Sequence, residues 1–396
     1  MATLSLLLGL FFLFAPSVEA WDFDQKSELQ PTWLYREVPQ MGLSSRSHSV
    51  DLLLRANTQL RFSEGNLQFE IKPELSGYQG DSSSTADAMT DPYYLSLKSP
   101  NRFLNWRRSL SRDKEWLLDI DKVNLLYGKD DFEFAFGRKP VSLGVLKVFS
   151  VWNKFSKPLP MTVGPATIFS SDIISARYQD QETTWIATQI FGSTQADSVS
   201  LAQRVQYNSN YEWHFLLAQW WEHSVMGLAF AKDYWGATWR VETLFIKAKD
   251  SLEKDEVQAG LGFEVAINDK LSVLSEHLFQ SRAAQKTSDY KFPSSTPFSA
   301  PFHSMLASSY NYTQLQYKMT SLLSSNLSLL SNWVDGSKYI LFKSQYSYSD
   351  RMDAFVEVNI PSGSEGSEFA RKSIVFANGF YRGAPSQLSL GLKYVF

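Results

Sequence analysis

The chain ends in Gln387-Leu388-Ser389-Leu390-Gly391-Leu392-Lys393-Tyr394-Val395-Phe396. Counting back by twos from Phe396 gives one face that is entirely apolar or aromatic. The alternate positions are small, polar or charged, apart from Val395. A period of two is that of a β-strand whose two faces meet different surroundings. The segment is therefore predicted to be a strand with one apolar and one mainly polar face.

An aromatic residue that closes such an alternation resembles the last strand of Gram-negative outer-membrane β-barrels. The resemblance implies that Phe396 is recognised by the barrel-assembly machinery during insertion. The alternative for this segment alone is an ordinary half-buried strand that ends a soluble domain. The rest of the chain has to decide between the two interpretations.

The first twenty residues have the pattern of a secretory signal peptide. Leu4 to Leu13 is nearly all apolar, and Val18-Glu19-Ala20 offers small residues for cleavage. The apolar run is too short for a good transmembrane helix. We therefore expect residues 1–20 to be removed, Trp21 to be the mature N-terminus, and residues 21–396 to form the folded protein.

Composition excludes several classes of protein. Residues 21–396 contain no apolar run of membrane-helix length, and mean hydropathy is −0.24, so a helical membrane protein is excluded. Cysteine is absent, which excludes disulfides and cysteine-based metal sites. A net charge of −3 argues against a nucleic-acid-binding protein. An aromatic content of 15% suits a barrel with aromatic girdles at both membrane interfaces.

Alternation of apolar and polar residues recurs along most of the chain. It becomes regular at Ser49, turns at Ser63 to Asn66, and returns from Leu67 to Leu75. Trp21 to Gln30 looks like a periplasmic lead-in, and Pro31 to Gln40 is a weak first strand. With that strand, the count is about eighteen, and single-chain bacterial barrels have even counts. The predicted fold class is all-β: a transmembrane antiparallel up-and-down β-barrel with short periplasmic turns and long extracellular loops.

The order of the connections supports this topology. If both termini are periplasmic, long loops must follow outward strands, and short turns must follow inward strands. The four long irregular segments all fall on one side, at residues 80–114, 145–170, 283–307 and 361–385. Ile374-Val375-Phe376 is assigned to the last loop, because another strand there would leave Phe396 outside the cell.

A sheet of eighteen strands encloses a cylinder about 35 Å across, too wide for side chains alone to fill. A water-filled lumen is therefore expected, lined by the side chains on the polar face of the strands. The predicted pore-lining residues are Arg55, Arg61, Glu70, Lys72, Asp119, Asp121, Glu133, Arg138, Arg177, Arg204, Arg240, Glu242 and Glu264. Acidic and basic members nearly balance, so pairing between neighbouring strands is the alternative to a role in ion selectivity.

A second resemblance appears at Asp131 to Gly144, DFEFAFGRKPVSLG. Three phenylalanines alternate, Gly137-Arg138-Lys139 interrupts them, and a loop rich in aromatic residues follows. This looks like the glycine-arginine strand and long inward-folding loop of alginate-export-like and related porin-type barrels, over roughly Ser49 to Phe191 plus the closing strand. Relatives often carry an acidic residue before the aromatic-proline stretch, where this chain has Trp152-Asn153-Lys154-Phe155.

The loop at residues 145–170 is the predicted constriction, with Lys147, Lys154 and Lys157 among its aromatic residues. The alternative is an external cap over the barrel mouth. Strict parity places Arg138 on the lipid side, which costs about 2 to 4 kcal/mol at the bilayer midplane. We therefore predict a β-bulge at Gly137 that turns Arg138 into the lumen.

These observations predict an outer-membrane channel for diffusion or export of hydrophilic solutes, with saccharides as candidates. The alternatives are a structural or adhesive surface barrel and, less favoured, an outer-membrane hydrolase. The five histidines are scattered, and neither HExxH nor GxSxG occurs, so no catalytic, metal or cofactor site is predicted. Expected partners are outer-membrane lipid and lipopolysaccharide, the latter through the arginines around Trp106: Arg102, Arg107, Arg108 and Arg112.

Overall fold

The computed structural model describes residues 22–37, 48–80, 108–109, 116–155, 170–192, 198–208, 211–249, 254–290, 305–370, 374–375, 381–382 and 386–396. Besides a two-residue strand, Arg108–Ser109, which pairs with Leu117 and Leu118, eighteen strands form one sheet. They are β1 Asp22–Glu37, β2 His48–Glu64, β3 Leu67–Gly80, β4 Trp116–Lys129, β5 Phe132–Pro140, β6 Ser170–Asp180, β7 Thr183–Phe191, β8 Val199–Asn208, β9 Tyr211–Trp220, β10 His223–Tyr234, β11 Ala237–Ile246, β12 Glu256–Ala266, β13 Leu271–Gln280, β14 Ser309–Lys318, β15 Leu323–Asn332, β16 Lys338–Ser349, β17 Met352–Ser362 and β18 Gln387–Val395.

The sheet is a closed barrel. Each strand pairs antiparallel with the next, and β18 pairs with both β17 and β1. At the closing seam the amide of Ser27 donates to the carbonyl of Phe396 at 3.1 Å, and the amide of Phe396 donates back at 3.0 Å. Closure satisfies the backbone groups that an open edge would leave unpaired in lipid. The predicted fold class is confirmed.

Some strand boundaries differ from those expected. The prediction that residues 21–30 are a lead-in before the first strand is wrong. β1 already begins at Asp22 and pairs along its whole length with β2. The sequence predicts a strand from Leu327 to Trp333, but β15 already begins at Leu323. Among the described residues, Ile374–Val375 pairs with Tyr381–Arg382 in a small sheet separate from the barrel, so its assignment to a loop holds.

The two faces of the sheet differ in chemistry. On β11, for example, Trp239, Val241 and Phe245 are exposed on the outer surface. The alternate residues Leu244 and Ile246 are buried inside the barrel. An outer face this rich in exposed apolar and aromatic side chains suits contact with lipid. Among the described residues, no helix is long and apolar enough to cross a membrane.

The inner face is divided into two parts. Inward residues of β6 to β16 form an apolar core together with Val141 to Phe155, Met305, Ala307 and Phe369, all of which lie between strands. The charged inward residues of β2 to β5 lie outside this core. The charged wall of β2 to β5 is therefore separate from the apolar core, although the strands of the core also carry buried acids such as Glu242 and Glu276.

The backbone is strained at Gly137. Its φ is +120°, yet the pairing of β5 with β4 and β6 continues through it without a register shift. The bulge predicted at Gly137 is therefore absent. The irregularity lies on β4 instead, where Asp121 is skipped between the pairs Lys72 with Lys122 and Pro73 with Ile120.

Replacing Gly137 by Ala is expected to destabilise the barrel by about 1 to 3 kcal/mol. The added Cβ would overlap the carbonyl oxygen of Val123, and the positive φ disfavours any side chain. Urea unfolding followed by tryptophan fluorescence measures the loss. Gly128→Ala is the control, because nothing lies within 4 Å of the added atom there. Equal stability of the two variants would contradict the prediction.

Candidate functional site

The inner wall of β2 to β4 carries a set of ion pairs between neighbouring strands. Its members are half-buried or buried side chains that the sequence predicted to face the lumen, together with Glu74 and Lys122. The pairs are Arg55 Nε to Glu74 Oε1 at 3.3 Å, Lys72 Nζ to Asp121 Oδ2 at 3.3 Å, and Lys122 Nζ to Glu70 Oε1 at 3.4 Å. Arg61 is exposed on the same face, opposite Glu70 in the register. Four basic and three acidic groups nearly cancel, as the balance in the sequence suggested.

Arg138 lies at the edge of this wall and is only 1% exposed. Its Nε donates to Asp172 Oδ1 at 2.6 Å, and Nη2 donates to Asp172 Oδ2 at 3.1 Å. Nη1 donates to the carbonyl of Ile120 at 2.9 Å and lies 3.7 Å from Asp119. The Arg138 guanidinium is therefore bound by the Asp172 carboxylate and the Ile120 carbonyl. Its ion pairing removes the lipid-exposure cost that motivated the predicted bulge.

A second charged group lies on β11 and β12. Glu264 accepts from Arg240 Nη2 at 2.9 Å and from Lys147 Nζ at 2.6 Å. Lys147 belongs to the inward segment, which we define as residues 141–155, and its side chain is about half exposed. The structure therefore brings two predicted wall residues together with one predicted loop residue.

The remaining wall predictions have different outcomes. Glu133 and Arg177 lie opposite one another on the inner face, and Arg177 donates to Gln179 at 3.1 Å. The prediction that Arg204 faces the lumen is wrong. Its register partners Trp185 and Phe215 lie on the exposed outer face, and its guanidinium sits 5.1 Å from the Trp185 ring centroid. A cation–π contact and the long side chain allow an arginine there.

Glu242 is fully buried and holds the inward segment. Its Oε1 accepts from the amides of Val145 and Leu146, the latter at 2.6 Å. Its Oε2 accepts from the Ser150 hydroxyl at 2.8 Å and from the amides of Val151 at 2.9 Å and Trp152 at 3.4 Å. Glu242 was predicted as a pore-lining residue, but its carboxylate is occupied by the segment.

Glu276 on β13 does the same for the next part of the segment. Oε1 accepts from the amide of Lys147 at 2.7 Å, and Oε2 accepts from Val148 at 2.9 Å and Phe149 at 2.7 Å. Alternation in the sequence places Glu276 on the polar face of its strand but does not link it to the loop. No side-chain pattern could have revealed the link, because the donors are backbone amides.

Small residues on the wall make room for the segment. Leu146 rests on Gly260 and Gly262, and a Cβ on Gly262 would come within 2.8 Å of Leu146 Cδ2. A Cβ on Gly227 would likewise come within 2.7 Å of the Trp152 ring, whose indole nitrogen donates to the carbonyl of Thr243 at 2.8 Å. These glycines let the segment approach the backbone of the wall directly.

Lys154 lies at the end of the inward segment. Burial lowers its pKa to about 8, although the carboxylates of Glu256 and Glu242 partly oppose this shift. Lys157, the third lysine predicted in the constriction, lies outside the described residues.

The shifted pKa of Lys154 predicts a pH dependence of stability. Below pH 8 the amine is charged in both states, so the folded state carries the full cost of burying it. Between about pH 8 and 10.5 the folded state loses the proton first, and stability should rise with pH. The Lys154→Met variant should lack this rise, which amounts to roughly 3 kcal/mol at most. Urea unfolding across this pH range measures it. Lys270→Met, in an exposed turn, is the control, and an unchanged slope in Lys154→Met would contradict the assignment.

Residues from two other connections pack at the long-loop end. Glu368 Oε1 accepts from the amide of Leu306 at 3.1 Å, and Oε2 accepts from Asn332 at 3.0 Å and from the Tyr310 hydroxyl. The neighbouring Phe369 is fully buried against Tyr310. Residues of these two connections therefore pack into the same apolar core as the inward segment.

Solved structures with a similar fold cover almost the whole chain. Acinetobacter baumannii OccAB4 has a TM-score of 0.61 at 8% identity, with coverage of 95% of this chain and 98% of that one. Pseudomonas aeruginosa OccD3 (OpdP) has a TM-score of 0.53 at 10% identity, over 94% and 91% of the two chains. The fold is that of porin-type outer-membrane barrels. No protein-family model matches the chain, and no curated protein matches it.

The structural neighbours share one class of protein. The structural neighbours are porin-type channels of Gram-negative outer membranes and not enzymes. Within the described ranges, no group of three or more His, Asp or Glu residues is placed to hold a metal ion.

Proposed function

We propose that the chain is an outer-membrane channel for the diffusion or export of hydrophilic solutes. The observation that carries the proposal is the division of the interior. An ion-paired polar wall on β2 to β4 lies in the same lumen as an inward segment anchored to β11 and β13. Charged groups paired across strands keep a wall wet without committing it to one sign of ion.

We further propose that the loop at residues 145–170 constricts this passage, with Lys147 and Lys154 near its narrowest part. Support comes from the eight hydrogen bonds that Glu242 and Glu276 accept from residues 145–152. The alginate-export-like resemblance of Asp131 to Gly144 makes saccharides the first solutes to test. The remaining pore-lining predictions, Arg204 excepted, belong to the same proposal.

Conductance in planar bilayers tests the channel. The refolded chain should give stable open-channel steps, and deletion of residues 145–170 should enlarge them. Liposome swelling with neutral saccharides, amino acids and small organic anions then identifies the solute class. Absence of steps from both the parent and the deletion variant would overturn the proposal.

A structural or adhesive surface barrel is the second candidate. Packing of Met305, Ala307 and Phe369 into the apolar core favours it, because these residues occupy space near the long-loop end. The same conductance experiment separates the candidates, since such a barrel stays silent even after the deletion. A hydrolase would need a nucleophile or an activated water beside a base, and none of the contacts described above forms such an arrangement.

Targeting and assembly complete the proposal. Residues 1–20 would act as the signal peptide, and N-terminal sequencing of envelope material should begin at Trp21. Phe396, exposed at the closing seam, would contact the barrel-assembly machinery. Its removal should slow membrane insertion. The arginines around Trp106 would bind lipopolysaccharide phosphates, but their side chains lie outside the described residues.

A further inference from the structure

The inner wall recognises the inward segment by its backbone. Seven of the eight hydrogen bonds to Glu242 and Glu276 come from amide groups, and the eighth comes from Ser150. A carboxylate that accepts several amide hydrogen bonds is a strong and directional anchor. Because the donors belong to the backbone, the anchor fixes the path of the segment rather than the rotamers of its side chains.

The wall around the two carboxylates matches that path in shape. Gly260 pairs with Glu242 across strands β11 and β12, and Gly262 pairs with Glu276 across β12 and β13. Leu146 lies against both glycines. Strand β12 thus lies between the two acids, and its Gly260 and Gly262 receive the Leu146 side chain.

We infer that Glu242, Glu276, Gly260 and Gly262 form a seat that sets how far the inward segment protrudes into the lumen. The inference rests on the proposed channel function and assigns the width of the passage to positioning residues on the wall. These residues need not touch the solute. If the seat is weakened, the segment should lift away and the passage should widen.

The absence of cysteine from the chain permits a direct test. Val151 is fully buried and its amide donates to Glu242, so Val151→Cys serves as a reporter in an otherwise thiol-free barrel. The folded protein in detergent is treated with a polyethylene-glycol maleimide, and the labelling rate is read from the gel shift. Glu242→Gln and Glu276→Gln, singly and together, are introduced beside the reporter.

An amide cannot replace the carboxylate here, because its NH₂ group would face amide donors. We expect labelling to become about tenfold faster or more in the double variant, with larger single-channel conductance. Glu357→Gln is the matched control, because Glu357 is also a buried inward carboxylate but bonds Asn359 on its own strand. Its labelling rate and conductance should equal those of the parent reporter.

Gly262→Ala tests the seat without removing a charge, and it decides the matter if the double variant does not fold. The methyl group should push Leu146 away and speed labelling, whereas Gly128→Ala should not. Slow labelling in every seat variant would overturn the inference even if the parent conducts. A silent parent with fast-labelling seat variants would refute the channel and leave the seat standing.

Discussion

Replacing Asp172 by Ala is expected to destabilise the barrel by about 3 to 5 kcal/mol, among the largest effects of any single substitution here. Arg138 is almost completely buried, and Asp172 accepts from two of its nitrogens. Removing only the carboxylate leaves a buried cation whose desolvation is no longer offset. The midpoint of urea unfolding, followed by tryptophan fluorescence in detergent, measures the loss.

Two further variants separate this explanation from simple loss of packing. Asp119→Asn should cost less than about 1 kcal/mol, because Asp119 is partly exposed and lies 3.7 Å from the guanidinium. The double variant Arg138→Met with Asp172→Leu should be closer to the parent than Asp172→Ala, since it buries no charge. If Asp172→Ala lowers the free energy of unfolding no more than Asp119→Asn does, the ion pair between Arg138 and Asp172 does not stabilise the barrel as proposed.

The strands that the sequence predicted best are those whose two faces meet different surroundings. β2, β3 and β18 alternate because one face meets the outside of the barrel and the other meets charged partners within it. β1 was missed in part because Asp22 to Gln30 is mainly polar, with Phe23 and Leu29 as its two apolar residues. Its pairing with β2 and β18 keeps it extended, and such long-range pairing leaves no local signature.

For the charged wall, the sequence predicted which side chains face the lumen but not which of them form ion pairs. Alternation indicates the face on which a residue lies and carries no information about its partner. Arg204 shows where parity fails. Near the short-turn end of the barrel, an arginine can lie on the outer face beside Trp185 without entering an apolar medium alone. Nothing in the spacing of β8 distinguishes that position from an inward one.

The apolar half of the interior did leave a signal in the sequence. On β9, Phe215-Leu216-Leu217 is a continuous apolar run, and only Leu216 is buried inside. A strand apolar on both faces must be covered on both, as in sheets packed between layers. Here the outer cover would be lipid and the inner cover is the inward segment, so such runs mark where a loop enters a barrel.

Trp152→Ala is expected to release the inward segment while leaving the barrel folded. Trp152 is fully buried, lies over Gly227 and donates to the Thr243 carbonyl. Truncating a buried tryptophan costs about 3 to 5 kcal/mol. The sheet itself remains paired all round, so the loss should fall on the docking of the segment, shifting that equilibrium about a hundredfold or more.

Single-channel recording and the Val151→Cys reporter together measure this release. Conductance should rise and labelling should accelerate, while the urea midpoint of the sheet changes little. Trp235→Ala, at an exposed turn, removes the same side chain without touching the segment and should change none of the three. A fall in the urea midpoint with unchanged labelling would mean that the segment is an inseparable part of the barrel core. Because a hydrogen-bonded sheet can stay closed without its loops, we expect the wall and the segment to respond separately.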